Sequence, residues 1–148
     1  MAQQARAIVD AMQAAGLKRL IFISSMGIYG EVPGERYRSV LDPYRDSAAV
    51  IEASDLDYTI LRPGWFTQDR SVGYRIARKG EPFHGHDVSL DSLSSLIVKL
   101  ALTPGMELRQ SLGVSRARPH ALGPPGLAQG LVEQENDDAN TRIGPQRP

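Results

Sequence analysis

From Ala2 to Ala15 the apolar residues recur at helical spacing. Ile8, Met12 and Ala15 share a face with Ala5 and Val9 beside them, while Gln3, Arg6, Asp10 and Gln13 take the opposite side. The pattern predicts an amphipathic helix, and Gly16 supplies the left-handed residue that ends such a helix. Between Lys18 and Ser24 the pattern switches to an unbroken apolar run, Leu20-Ile21-Phe22-Ile23. Continuous rather than alternating apolar positions suit a parallel strand covered on both faces. A helix, a glycine, a short link and a buried strand in that order point to the α/β class.

The stretch from Ser25 to Pro43 holds Gly27, Gly30, Pro33 and Gly34, and so reads as loop. A second helix follows, with Asp42 expected as its N-cap and Pro43 at its first position, running to Ala53. Tyr58-Thr59-Ile60-Leu61-Arg62 is the next strand, stopped by Pro63-Gly64. Val72, Tyr74 and Ile76 then alternate with polar residues ahead of Lys79-Gly80 and Pro82-Phe83, which predicts a surface hairpin. Ser89 caps a third predicted helix whose apolar face is Leu93, Leu96, Ile97, Leu100 and Ala101, ended by Thr103-Pro104-Gly105. Ser111-Leu112-Gly113-Val114 is a last short strand. From Arg116 onward proline, glycine and polar residues dominate and no apolar stripe survives, so residues 116–148 are expected to form a disordered tail behind one domain of residues 1–115.

Composition narrows the function classes. A chain of 148 residues suits one modest domain. Seventeen basic and seventeen acidic residues cancel, so no electrostatic footprint for nucleic acid or an anionic membrane is expected. The absence of cysteine excludes disulfides and thiolate chemistry. His84, His86 and His120 lack the spacing and companion carboxylates of a metal site, and His84-x-His86 fits a solvated turn better. No apolar run approaches the ~18 to 20 residues that span a bilayer, and the first residues do not have the form of a signal peptide. A cytoplasmic location is the expectation.

In an open α/β sheet, ligands bind beyond the carboxyl ends of the parallel strands. Ser24, Ser25 and Arg62 fall at such ends. A serine hydroxyl there suits a carbonyl or a ribose, and Gly64 would let the backbone approach a flat ring. Taken singly, the two serines are better read as satisfying strand-end backbone, and Arg62 as making a surface ion pair.

Three motifs taken together are more specific. Ile21-Phe22-Ile23-Ser24-Ser25-Met26-Gly27-Ile28-Tyr29-Gly30 resembles the strand and loop at the nicotinamide end of short-chain dehydrogenases/reductases. Pro43-Tyr44 to Glu52 is similar to the helix that carries that group's Tyr-x-x-x-Lys pair. Leu56 to Gly64, with its Tyr-Thr-Ile-Leu-Arg-Pro-Gly string, resembles the strand that ends beside the cofactor. The similarity covers roughly residues 1 to 115 and looks closest to the NAD(P)H-binding, NmrA-like branch of the atypical members.

The resemblance implies a partial Rossmann-like parallel sheet flanked by helices and an NAD(P)-dependent oxidoreductase, with NADP(H) ahead of NAD. It implies Tyr44 and Ser25 as catalytic residues, Ser24, Arg62, Pro63 and Gly64 as cofactor contacts, and Tyr29 and Trp65 in the substrate pocket. For Tyr29 and Tyr44 a packing role competes on equal terms.

Two departures qualify it. The family's Gly-x-x-Gly-x-x-Gly turn ahead of a helix N-terminus has no counterpart here, because Glu31, Pro33 and Gly34 follow Gly27-x-x-Gly30 instead of a helix start. The expectation is a mis-assigned start, a truncated gene or a fragment, with weak or absent dinucleotide binding and self-association through an exposed sheet edge. The second departure is Ala48, which stands where the lysine that lowers the tyrosine's pKa is found. Three functions stay open: an oxidoreductase, a non-catalytic dinucleotide-binding or redox-sensing module, and an inactive remnant.

Overall fold

A computed structural model describes residues 1–117; the expected tail, apart from its first two residues, lies outside the described residues. Helix α1 spans Ala2–Ala15 and turns off at Gly16, which adopts φ 72° as a left-handed cap. Its inward stripe is Ala5, Val9 and Met12, whereas Ile8 and Ala15 are exposed, so the buried face lies one position round from the predicted one. Strand β1 is Arg19–Ile23.

Helix α2, Asp42–Glu52, is entered through a 3₁₀ turn at Ser39–Leu41. The cap position belongs to Leu41 and not to Asp42. The Asp42 carboxylate instead accepts a hydrogen bond from the Tyr37 hydroxyl at 2.6 Å, which removes it from the backbone amides it was expected to cap.

Strand β2, Asp57–Pro63, runs on to Gly64 and leads directly into the three-residue β3, Trp65–Thr67. Then come β4 at Tyr74–Arg78, β5 at Asp87–Ser89, α3 at Leu90–Leu102 and β6 at Gln110–Arg116. Ser89 caps α3 as expected, its Oγ accepting from the Ser92 amide at 3.0 Å. Leu93, Leu96 and Leu100 form the buried face of α3 with Ile97 packed alongside, while Ala101 is exposed.

The main sheet has the order β1-β2-β6-β4, with β1, β2 and β6 parallel and β4 antiparallel to β6. Alternate residues serve opposite faces. Leu20, Phe22, Tyr58 and Ile60 pack with α1 and α2, whereas Ile21, Leu61, Leu112 and Val114 pack with α3. Two apolar layers sandwich the sheet, which is why β1 reads as a continuous apolar run.

The predicted hairpin is corrected. Only Tyr74–Arg78 forms a strand in that region, and its partner is the distant β6 rather than a neighbour across Lys79-Gly80. A two-stranded parallel pair, β3 with β5, was not foreseen. Strand β6 also continues to Arg116, whose guanidinium bonds Asp69 and Asp87, so Arg116 belongs to the sheet and not to a tail.

Candidate functional site

The parallel strands β1 and β2 end side by side at Ile23 and Pro63, and the chain leaving each is tied to the other. The Ser24 amide donates to Leu61 O at 2.7 Å and the Met26 amide to Pro63 O at 3.2 Å. Beyond these ends lies a cleft of about 340 Å³. Ser25, Met26, Gly27, Pro63 and Gly64 from the two strand ends line it, with Gly30, Val32 and Leu41 and the exposed Glu35 to Arg38 and Trp65. Gly27 has φ 90°, and a Cβ there would lie 3.0 Å from Leu41 Cδ1. The positive φ favours glycine at this turn, where it passes the Leu41 side chain.

Four of the eight residues expected at the site line this cleft: Ser25, Pro63, Gly64 and Trp65. Ser25 Oγ donates to Met26 O at 3.0 Å, so it must turn to meet a ligand. Gly64 is needed for a reason other than a flat ring. A Cβ on it would lie 2.7 Å from His86 O, because the β2–β3 junction runs against the chain entering β5. Trp65 is 56% exposed, a large aromatic face beside the opening.

Arg62, Tyr29, Tyr44 and Ser24 are placed elsewhere. Arg62 is fully buried, and its guanidinium bonds Glu31 Oε2 at 2.5 Å, Ser111 Oγ at 2.9 Å, Ser111 O at 3.0 Å and Ala77 O at 3.2 Å. With these bonds made inside the protein it is a strut between β2, β4, β6 and the loop after β1, and it does not line the cleft. Glu31 secures that loop further, accepting from the Tyr29 amide at 3.1 Å while its carbonyl accepts from the Phe83 amide at 3.0 Å.

The Arg62 guanidinium lies 4.9 Å and the Lys79 ammonium 4.6 Å from the centre of the Tyr29 ring. Its hydroxyl bonds Glu52 at 3.1 Å and Ser111 at 2.9 Å, away from the cleft. Burial, more than any neighbouring charge, pushes its phenol up to about 12. Tyr29 is thus a packing residue.

Tyr44 packs against the α1–α2 core and does not line the cleft. Ala48 is fully buried in the same core, and Ser47 donates to Pro43 O at 2.7 Å rather than to the tyrosine. Ser24 is buried, its Oγ 3.5 Å from Tyr44 O, so it joins the loop to α2. Sequence reasoning missed Glu31, Ser111 and the Glu35–Arg38 segment. A carboxylate demanded by a buried arginine was the available signal for Glu31.

The cleft fits one end of a dinucleotide. Its volume sits at the lower limit of the ~300 to 1,000 Å³ usual for ligand sites, with a serine hydroxyl on its lining and an exposed indole beside it. Among the described residues, no glycine-rich turn or amide-rich helix start faces the cleft to hold a pyrophosphate. Helix α2 begins at the cleft side, but its first turn carries the Asp42 carboxylate and Pro43, which has no amide hydrogen. Among the described residues there is no group of His, Cys, Asp and Glu side chains that would hold a metal, and no helix long and apolar enough to cross a membrane.

Residues 1–104 match the model of a family described as NAD(P)H-binding. No curated protein matches the chain. Among solved structures, a Rossmann-fold NAD(P)-binding family protein from Shigella flexneri is 36% identical at a TM-score of 0.67, covering 82% of this chain and 57% of its own. A short-chain dehydrogenase/reductase from Veillonella parvula gives 25% identity and a TM-score of 0.73, covering 83% of this chain and 62% of its own. A Veillonella parvula short-chain dehydrogenase/reductase in complex with NADP gives 26% and 0.71 over the same shares. The chain therefore spans roughly three-fifths of the length of these structures.

Proposed function

The chain belongs to the NAD(P)H-binding family, and from that premise we propose that it supplies the nicotinamide end of an oxidoreductase site of the short-chain dehydrogenase/reductase kind. The observation that carries the reading is the cleft beyond the carboxyl ends of β1 and β2, with Ser25, Pro63, Gly64 and Trp65 on its surface. When bound, a reduced nicotinamide supplies hydride to a carbonyl. The chain's own contribution is to position the reacting partners. The Ser25 hydroxyl, released from Met26 O, hydrogen-bonds the carbonyl oxygen, and the Trp65 ring shields one side from water.

The NmrA-like branch is our finer assignment, supported by the Tyr58-to-Gly64 string, and NADP(H) is the coenzyme we favour, as in the Veillonella parvula structure. A cytoplasmic setting goes with it. Binding by the 148-residue chain alone is weak, because no glycine-rich turn or amide-rich helix start faces the cleft among the described residues.

One observation favours binding without turnover as the second reading. Ala48 is buried where the resemblance calls for lysine, and Tyr44 lies in the core. Positioned acid–base assistance is worth about 10² to 10⁴ in rate, so turnover should be slow. A chimera tests both readings, joining this chain to the portion of the Shigella flexneri protein that it does not span. Tight NADP(H) binding with carbonyl reduction supports the oxidoreductase, and tight binding without reduction supports the sensor. A well-folded chimera that binds neither coenzyme overturns both.

A further inference from the structure

The segment from Glu35 to Arg38 lines the cleft and has no helix or turn of its own. Tyr37 fixes it in place. Its hydroxyl donates to Asp42 at 2.6 Å and the Arg45 guanidinium sits 5.3 Å from its ring centre. Arg38 has extended backbone, φ −114° and ψ 132°. Arg36 and Arg38 flank the anchored Tyr37, and both are exposed and line the cleft.

Their environment leaves both guanidiniums available. Arg19, Arg45, Arg62, Arg70, Arg78, Arg109 and Arg116 all bond a carboxylate, carbonyl or hydroxyl. Arg36 and Arg38, like Arg6 and Arg75, have no such partner among the described residues; of these four, Arg36 and Arg38 line the cleft beyond β1 and β2. The nearby carboxylates are committed, Asp42 to Tyr37 and Arg45, and Glu31 to Arg62. Glu35 alone opposes the two cations at the lining. Guanidinium stays ionised at any working pH and matches an oxyanion with paired donors.

We propose that Arg36 and Arg38 form an anion clamp at the mouth of this cleft, selecting a substrate that carries a carboxylate or comparable oxyanion besides its reducible carbonyl. That the anion belongs to a substrate rests on the hydride-transfer reading above; the anion site itself does not. The distribution of groups gives the substrate its shape. Ser25 at the strand end receives the carbonyl, Trp65 covers the body of the molecule, and the two arginines hold its charged end at the opening.

Trp65 is the single tryptophan of the chain, so its emission reports on the cleft directly. The test titrates the 148-residue chain with para-carboxybenzaldehyde and with para-tolualdehyde, its uncharged counterpart of similar size. The proposal expects a saturable change in Trp65 emission with about tenfold tighter binding of the carboxylate, the discrimination that ~1.4 kcal/mol confers. R36A/R38A should bring the two aldehydes to parity, R36K/R38K should restore part of the preference, and R6A, far along α1, should change nothing. Equal affinities in the unmodified chain, or a preference that survives R36A/R38A, would overturn it.

Two further ligands separate a substrate anion from a cofactor phosphate. They are reduced nicotinamide mononucleotide and its phosphate-free nucleoside. If R36A/R38A weakens the mononucleotide and spares the nucleoside, the clamp holds the cofactor and the substrate assignment is wrong. If neither nicotinamide compound reaches the cleft while the carboxylate preference holds, the hydride-transfer reading fails and the anion site stands.

Discussion

Arg62 and Glu31 show how a residue can be noticed for the wrong reason. The Arg-Pro-Gly string made Arg62 a candidate contact, but a guanidinium with no exposure needs a buried counter-charge, and Glu31 supplies it. Removing one partner of such a pair leaves the other charged and unpaired, at a cost of about 3 to 5 kcal/mol. Glu31→Ala should therefore lower the urea midpoint sharply, and Glu31→Ala combined with Arg62→Leu should cost less than the two single changes added. Strict additivity would mean the pair does not couple.

Tyr29 gives a pH signature. Its folded phenol titrates near 12 against 10 when unfolded, because burial disfavours the phenolate. Between those values the unfolded chain loses its proton first, so stability is full below pH 10 and declines as pH rises toward 12. Tyr29→Phe should lose this part of the decline in chemical-denaturation curves. An ion pair for Arg62 and a packing role for Tyr29 were legible beforehand, but their partners were not, since pairing Glu31 with Arg62 and Tyr29 with Ser111 joins residues far apart in the chain.

The elements with their own periodicity were the ones the sequence disclosed. Helices α1, α2 and α3 and strands β1 and β2 each carry a local pattern of apolar positions, so they could be placed to within a few residues. Strands β3 and β5 are three residues each, too short for any period, and β4 reveals a strand but not that its partner is β6. At the candidate site, strand ends were legible and side-chain directions were not. Ser25 and Ser24 are neighbours, yet one lines the cleft and the other faces α2.

Two changes probe elements rather than single contacts. Ala48→Lys would place an unpaired ammonium in the α1–α2 core, at about 3 kcal/mol or more. It should lower thermal stability instead of creating a reductase; a stable variant that gains activity would contradict the burial described. Gly64→Ala would press a methyl against His86 O, and part the β2–β3 junction from β5 at about 1 to 3 kcal/mol. The size of that loss can be read from calorimetry.

For the whole molecule, the sheet order places β1 at an edge, with Ile23 exposed at its end and Leu17 exposed just before it. An edge with unpaired backbone and apolar neighbours invites pairing with another strand. We propose that the isolated chain self-associates there. Light scattering should then show mass rising with concentration, and a Lys at Ile23 should reduce it. Mass that stays monomeric throughout the concentration range would remove the proposal.

The central proposal is that this NAD(P)H-binding chain holds the nicotinamide end of the site and lacks, among its described residues, the glycine-rich, amide-lined turn that grips a pyrophosphate. Trp65 beside the cleft allows one direct measurement, its emission during titration with NADPH, reduced nicotinamide mononucleotide and adenosine bisphosphate. The account predicts that NADPH and the mononucleotide bind with similar, weak affinity, worse than about 10 µM or roughly −7 kcal/mol, and that adenosine bisphosphate leaves the signal unchanged. Micromolar or tighter NADPH binding, blocked by adenosine bisphosphate and not shared by the mononucleotide, would contradict it.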